Sequence, residues 1–383
     1  MADKRGMDIV AAFKGIYEKN LGTRPGEKIL VFTDLIREDE PATPVERSRR
    51  EGLVSLARAA ALAGQDMGLE VRHLEFPALG SHGTEPDEEL WLLAFGERAL
   101  FALKDFGLLQ TIKEKKAGLR EIADAKAIVE KNKCGAVDAV IALSNYSTSH
   151  TRFRDLLTSA AGARYASMPL FEADMLWGSM SADWGQVKKR SDLVALAING
   201  EDSVRITTPP GTDISFSIKG RKAMVDDGDL REKGSFSNLP AGEVYLAPVE
   251  GTGSGVLVLE WAPDRKLVSP VRVFVKDGMA REIEGDEPFA DELRRGLDRA
   301  SWNRNLAELG IGTNDKAKRP DNVLESEKML GTVHMAFGDN TSMGGSVSTP
   351  FHQDFVFFNP TLEIKGPRGV RTVISSGSLR FDL

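Results

Sequence analysis

The pattern of secondary-structure signals changes near residue 200, and this change constrains the fold more than any other feature of the sequence. Before it, helical spacing alternates with short apolar segments. Residues 28–32 predict a strand, residues 53–67 an Ala-rich helix that ends at Gly68, and residues 70–76 a second strand. This succession predicts a β-α-β unit.

A second unit of the same kind follows. A long helical region, residues 88–131 with a break at Gly118, leads into a buried strand at residues 136–143. A polar loop rich in capping residues then leads into a helix at residues 151–161. Repeated β-α alternation implies a mostly parallel sheet with helices on both faces.

Short strands dominate the rest of the chain. Residues 204–208 and 213–218 predict two strands joined by a tight turn, and one helical stretch at residues 288–309 interrupts the later strands. We therefore predict an α/β N-terminal domain with a mostly parallel sheet, residues 1–200. A β-rich α+β C-terminal domain, residues 201–383, is expected to carry the functional site.

Charge and cysteine content exclude some classes of partner and indicate a cellular compartment. A formal charge of −7 and a pI near 5.5 argue against general affinity for nucleic acid. The single cysteine, Cys134, cannot form an internal disulfide and fits a reducing compartment. The N-terminus lacks the apolar stretch of a signal peptide, and no apolar run is long enough to cross a bilayer. We expect a cytoplasmic protein without membrane or nucleic-acid partners.

Two histidines in the last fifty residues point to metal chemistry. His352 and Asp354 are two residues apart in a strand-like segment, so both side chains are expected on one face. His334 lies in a second apolar strand-like segment. Imidazole and carboxylate are ligands for zinc, iron, manganese or cobalt, whereas a hydrogen-bonded His-Asp pair is the simpler alternative.

Two glutamates stand in apolar surroundings. Glu243 begins an apolar segment after a Pro and Gly turn, and Glu308 lies among apolar residues and glycines. A buried carboxylate needs a cation, hydrogen bonds or a metal ion. Solvation at a strand end or an ordinary ion pair remains the alternative for each.

Four segments in the C-terminal half, LPAGEVYLAP, AELGIGTN, EKMLGTVHMAFGDN and HQDF, are similar to the thermophilic metalloaminopeptidase family of aminopeptidase T and S type. They look closest to its leucyl aminopeptidase-like branch, and the similarity runs over most of the chain. It implies a dinuclear metal site, with ligands at Glu243, Glu308, His334, His352 and Asp354.

This sequence departs from the pattern of the family at two positions. Glu308 stands in a Glu-Leu-Gly order where characterised aminopeptidases have Leu-Gly-Glu, and Thr341 stands where they have a tyrosine. The implied activity is removal of N-terminal residues from small peptides by water activated between two divalent ions of zinc, cobalt, manganese or magnesium. Glu250 is the candidate proton donor, and a homodimer is expected.

A different chemistry uses the same ligand types. His334, His352 and Asp354 form the set found in mononuclear non-haem Fe(II) oxygenases, and a ring-cleaving dihydroxypyridine dioxygenase resembles the same fold. Thr341 favours this alternative, whereas Glu243 and Glu308 favour two metal ions. A metal-stabilised or peptide-binding module without turnover is a third possibility.

Overall fold

The computed structural model of the chain describes residues 2–380, with side chains from residue 8 onward. The chain divides into two compact units. The first comprises Met1–Met180 and Gly228–Leu239, and the second comprises Ser181–Asp227 and Pro240–Leu383. The boundary expected near residue 200 stays a prediction. None of the described helices is both long and apolar enough to span a bilayer.

The regular elements are numbered here in chain order. The α-helices are α1 (Ala2–Gly15), α2 (Pro44–Asp66), α3 (Glu88–Phe95), α4 (Glu97–Asp105), α5 (Leu108–Lys113), α6 (Leu119–Asn132), α7 (Arg152–Ser159), α8 (Trp184–Ile198), α9 (Pro288–Asp298) and α10 (Val323–Ser326). The first nine strands are β1 (Lys28–Leu35), β2 (Glu70–Pro77), β3 (Ala139–Ala142), β4 (Arg164–Ser167), β5 (Ser203–Thr207), β6 (Asp213–Ser217), β7 (Met224–Asp226), β8 (Phe236–Asn238) and β9 (Glu243–Leu246). The others are β10 (Ser254–Ala262), β11 (Arg265–Lys276), β12 (Met279–Glu284), β13 (Leu306–Gly312), β14 (Val333–Gly338), β15 (His352–Phe357), β16 (Thr361–Gly366), β17 (Gly369–Ser375) and β18 (Ser378–Leu379).

The first unit is built on a parallel sheet of order β2-β1-β3-β4-β8. Helix α2 connects β1 to β2, beginning after Thr43, whose hydroxyl caps the backbone N–H of Glu46. The long helical region expected at residues 88–131 is broken at Gly96 and Gly107 as well as Gly118. Gly96 and Gly107 both adopt positive φ, which favours glycine and ends a helix.

The second unit contains two antiparallel sheets. One has eight strands in the order β12-β11-β10-β6-β5-β16-β17-β18, and the other has five in the order β15-β14-β13-β9-β7. Apolar side chains from both sheets and from α8 and α9 form one buried cluster. The predicted fold class, an α/β unit with a parallel sheet followed by a β-rich unit, is confirmed.

One predicted element is wrong, and it concerns a candidate site residue. The helix expected at residues 288–309 ends at Asp298, and Leu306–Gly312 instead forms β13, the middle strand of the five-stranded sheet. All seven residues of β13 are buried. A strand buried on both faces does not alternate apolar and polar residues, so its sequence cannot be distinguished from a buried helix by periodicity.

Candidate metal centre

The five predicted ligands converge on the five-stranded sheet of the second unit. Four neighbouring strands contribute them: Glu243 begins β9, Glu308 lies in β13, His334 in β14, and His352 and Asp354 in β15. Strand register brings them together, because Gly310 of β13 pairs with His334 and Ala336 of β14 pairs with Asp354. Residues more than one hundred positions apart thus share one site.

Glu308 is at the centre of the cluster. Its Oε1 lies 3.4 Å from Nε2 of His334, and its Oε2 lies 3.1 Å from Nε2 of His352. On one side, His334 Nε2 also lies 3.3 Å from Oε2 of Glu243. On the other, His352 Nε2 lies 3.4 Å from Oδ2 of Asp354. Carboxylates and imidazoles therefore alternate along a continuous row.

This row contains two groups that could each hold a metal ion. Glu243, Glu308 and His334 form the first, and Glu308, His352 and Asp354 form the second. Within each group the ligand atoms lie within 4.8 Å of one another. Glu308 belongs to both groups, and each group contains one histidine.

The two histidines differ in how their outer ring nitrogens are held. His352 Nδ1 lies 2.8 Å from the carbonyl oxygen of Asp339, so Nδ1–H must donate and Nε2 faces the carboxylates. Histidines that bind metals almost always have such a partner. His334 Nδ1 is buried without a hydrogen-bond partner among the described residues.

A glycine makes room for His334. A Cβ atom at Gly310 would overlap the imidazole of His334, which is 1% exposed and cannot move into solvent. Gly310 does not adopt positive φ, so its backbone conformation would tolerate a side chain. The absence of a side chain at this position of β13 is therefore what allows the ring to lie between the two glutamates.

Burial and charge set the protonation of the cluster. Burial raises the pKa of Glu243 to about 7, although Lys328 and His334 oppose the shift. Burial would also raise the pKa of Glu308, but hydrogen bonds from His334 and His352 outweigh it and lower that pKa. Burial lowers the pKa of His334, yet Glu308 and Glu243 raise it to about 9. These carboxylates favour a cation in their midst.

A lysine that sequence reasoning missed adjoins the cluster. Lys328 is fully buried, and its Nζ lies 2.8 Å from Oε1 of Glu243 and 2.8 Å from Oε2 of Glu327. The only sequence signal for it is a Glu-Lys pair directly before the apolar segment that carries His334. Such pairs are common on exposed helices, so burial could not be inferred from it.

Glu250 has no place in either candidate metal group. Its carboxylate pairs with Arg221 and accepts hydrogen bonds from Asn340 Nδ2 at 3.0 Å and from the backbone N–H of Ser346 at 2.7 Å. Burial would raise its pKa, but the hydrogen bonds and Arg221 lower it to about 2. Thr341 donates from Oγ1 to Asp339 at 2.8 Å.

A small cleft opens beside Asp354. Its walls are contributed by the end of β10 and the following turn, by the segment around α10, and by β15. The lining residues are Trp261, Ala262, Pro263, Pro320, Val323, Ser326, Asp354, Phe355 and Val356. The lining mixes polar and apolar side chains, and the cleft is about the size of one water molecule.

Two solved structures share the fold. The 2,5-dihydroxypyridine dioxygenase from Pseudomonas putida superposes with a TM-score of 0.68 at 16% identity, covering 98% of this chain and 97% of that chain. Wild-type AmpT from Thermus thermophilus superposes with a TM-score of 0.55, also at 16% identity, covering 98% and 99%. The resemblance to aminopeptidase T therefore holds for the fold. No curated protein sequence matches the chain.

The sequence of residues 113–379 matches the family model NicX, 2,5-dihydroxypyridine 5,6-dioxygenase. The expectation of a hydrolase, that is, of an aminopeptidase or metalloprotease, is therefore wrong. The physical reason is that hydrolases and oxygenases draw on the same histidine and carboxylate ligands. A catalytic role for Glu250 stays a prediction. Metal binding itself is supported by this match and by the ligand cluster. The matched region is more than half of the sequence, and the chain belongs to the 2,5-dihydroxypyridine 5,6-dioxygenase (NicX) family.

Proposed function

We propose that this protein is a metal-dependent dioxygenase that opens the ring of a dihydroxylated N-heterocycle. The observation that carries the proposal is the family match over residues 113–379, a region that contains all five residues of the ligand row. The dioxygenase structure with the same fold supports it, because its architecture is compatible with this chemistry.

The residues of the cluster fit a divalent metal ion. Imidazole nitrogen and carboxylate oxygen suit Fe(II), and Asp354 Oδ1 is buried without a hydrogen-bond partner among the described residues. An unpaired buried carboxylate oxygen is costly, and a bound cation would remove that cost. Fe(II), when bound, would supply the one-electron chemistry that ground-state dioxygen needs to react with an organic ring.

The protein's own groups would hold and orient the reactants. The carbonyl of Asp339 fixes the ring of His352, so that its Nε2 stays directed at Glu308 and Asp354. Trp261, Pro320 and Asp354 are among the residues that line a small cleft at this end of the cluster.

Oxygen consumption tests the proposal. The protein is loaded anaerobically with Fe(II), mixed with 2,5-dihydroxypyridine in aerated buffer, and followed by an oxygen electrode and by ring absorbance. We expect one dioxygen consumed for each ring lost, because a dioxygenase places both oxygen atoms in the product. Asp354→Asn should lose this activity. Iron-loaded protein that consumes no oxygen with dihydroxylated pyridines would contradict the proposal.

The assembly state is a separate proposal. The resemblance to the aminopeptidases implies a homodimer, and light scattering on the purified protein would test it. A molar mass near 41.8 kDa in solution, the mass of one chain, would contradict it. The absence of nucleic-acid and membrane partners stays a prediction from composition.

A further inference from the structure

The loop between β14 and β15, residues 339–351, carries the backbone partner of His352. The carbonyl oxygen of Asp339, which lies 2.8 Å from Nδ1 of His352, belongs to the peptide group that joins Asp339 to Asn340. The N–H of this same peptide group donates to the carbonyl oxygen of Val347 at 3.0 Å. Because a peptide group is planar, a bond that holds its N–H also fixes the direction of its carbonyl. The position of Val347 therefore bears on the ring of His352.

A carboxylate from outside this loop holds both of its arms. Glu250 lies between β9 and β10, and its Oε1 accepts hydrogen bonds from the backbone N–H of Ser346 at 2.7 Å and from Nδ2 of Asn340 at 3.0 Å. Asn340 Oδ1 accepts in turn from the backbone N–H of Val347 at 2.8 Å. A continuous row of hydrogen bonds thus runs from Glu250 to the peptide group that faces His352.

The packing around this row is close. Asn340 is 0% exposed, and a Cβ atom at Gly345 would lie 2.0 Å from its Cγ. Arg221 pairs with Oε2 of Glu250 and also donates to the carbonyl oxygen of Gly344. The loop has one short helical turn, Thr341–Met343, and its other buried polar groups need partners from elsewhere. Glu250 and Arg221 supply several of them.

We propose that Glu250 is a positioning residue, which holds the loop of residues 339–351 so that the carbonyl of Asp339 stays directed at Nδ1 of His352. A metal-binding histidine depends on such a partner, because the partner fixes the tautomer and the orientation of the ring. Glu250 belongs to neither candidate metal group, and both of its oxygens are already engaged by donors. The proposal deepens the proposed function, on which it rests only in taking His352 as part of the site.

The Nδ1 proton of His352 reports on this loop directly. Metal-free protein is isotopically labelled in the ring nitrogens of its five histidines, and exchange of the ring N–H protons with water is followed by NMR. His352→Gln assigns the signal. We expect slow exchange in wild type and exchange about 5- to 10-fold faster in Glu250→Ala, because the hydrogen bond to Asp339 is broken more often. Titration of the same proteins with Mn(II) should show a Kd raised about 10-fold in Glu250→Ala.

Two further variants separate the contact from the charge. Gly345→Ala leaves the carboxylate in place and displaces the amide of Asn340, so it should change the exchange rate and the Kd as Glu250→Ala does. Glu250→Gln keeps a side-chain oxygen that can accept from Asn340 and Ser346, and it should stay within about 2-fold of wild type in both measurements. The pair keeps the test decisive if Glu250→Ala fails to fold.

The matched control is Glu201→Ala. Glu201 is a buried glutamate of the same unit that pairs with Arg368 and Arg371, so its loss should destabilise the fold without changing the His352 signal or the Mn(II) affinity.

Four results would each overturn the proposal. They are wild-type exchange and affinity in a folded Glu250→Ala, as a role in proton transfer alone would give; wild-type behaviour of Gly345→Ala; a Glu250→Gln as disturbed as Glu250→Ala; and equal changes in Glu201→Ala. Neither measurement uses substrate or oxygen. A protein that behaves as expected here and opens no ring would therefore count against the dioxygenase function alone.

Discussion

Replacement of Gly310 by alanine tests whether the packing of the cluster is as tight as the structure indicates. Gly310 lies in β13 opposite His334 in β14. An alanine Cβ would lie 2.6 Å from Cδ2 of His334 and closer still to Nε2 and Cε1, where ordinary contact begins at 3.4 Å. The imidazole would have to retreat by about 1 Å or more, which amounts to overpacking.

The expected cost follows from these contacts. Overpacking a buried site costs about 1–3 kcal/mol, and the ring has no solvent to move into because it is 1% exposed. Displacement would also lengthen the distances of 3.3 and 3.4 Å from His334 Nε2 to Glu243 and Glu308. Replacing glycine by alanine also lowers the conformational entropy of the unfolded chain, and this effect stabilises the folded protein by roughly 0.4–1 kcal/mol. We therefore expect Gly310→Ala to lower the free energy of unfolding by about 1–2 kcal/mol.

A double-mutant cycle measures the interaction between a side chain at position 310 and the imidazole of His334. Urea unfolding of metal-free protein is followed by circular dichroism for Gly310→Ala, His334→Ala and the double variant. With the imidazole gone, Gly310→Ala should cost nothing or stabilise, so that the coupling energy is about 1–3 kcal/mol. Gly52→Ala is the matched control, because Gly52 lies in helix α2 and a Cβ atom there would meet no neighbour. This substitution should raise the free energy of unfolding by up to about 1 kcal/mol. Equal effects of Gly310→Ala in the two backgrounds would refute the reasoning.

Two further predictions concern acid stability and the imidazole of His352. Glu40 pairs with buried Arg50 at 2.7 Å, and hydrogen bonds from Arg50 and Tyr146 lower its pKa to about 2 from the ordinary 4.5. This carboxylate stabilises the fold above about pH 4.5, and the stabilisation, on the order of 3 kcal/mol, is lost as the pH falls towards 2. Urea midpoints measured from pH 7 to 3 should fall less steeply in Glu40→Gln than in wild type, and parallel curves would argue against the assignment. His352→Ala should abolish ring cleavage and most metal binding while leaving the far-ultraviolet circular dichroism spectrum unchanged; turnover at the wild-type rate would disprove its role.

Local sequence patterns were sufficient for the fold class, and the resemblance to the metalloaminopeptidases named the five residues that the structure brings together. The alternation of helices and strands in the first half predicts the parallel sheet, because it depends on local spacing that each segment carries by itself. His352 and Asp354 were recognisable because residues two apart in a strand share a face. That these residues bind metal as individual ligands stays a prediction.

Other features depended on the tertiary structure. Glu308 was placed in a helix by its apolar neighbours, and only pairing of β13 with β9 and β14 makes that segment a central strand. The division of the histidines between two groups, with Glu308 shared, follows from strand register across the sheet. Register joins residues far apart in the chain, so no local pattern contains it.

The burial of Lys328 was equally beyond the sequence. An exposed lysine next to a glutamate and a buried one between two carboxylates have the same local sequence, and only the packing of the second unit distinguishes them. The choice between hydrolysis and oxygen chemistry also lay outside the ligand residues. Histidine and carboxylate side chains bind metals for both reactions, so the sequence determined which donors were present, while the fold decided how these donors are grouped.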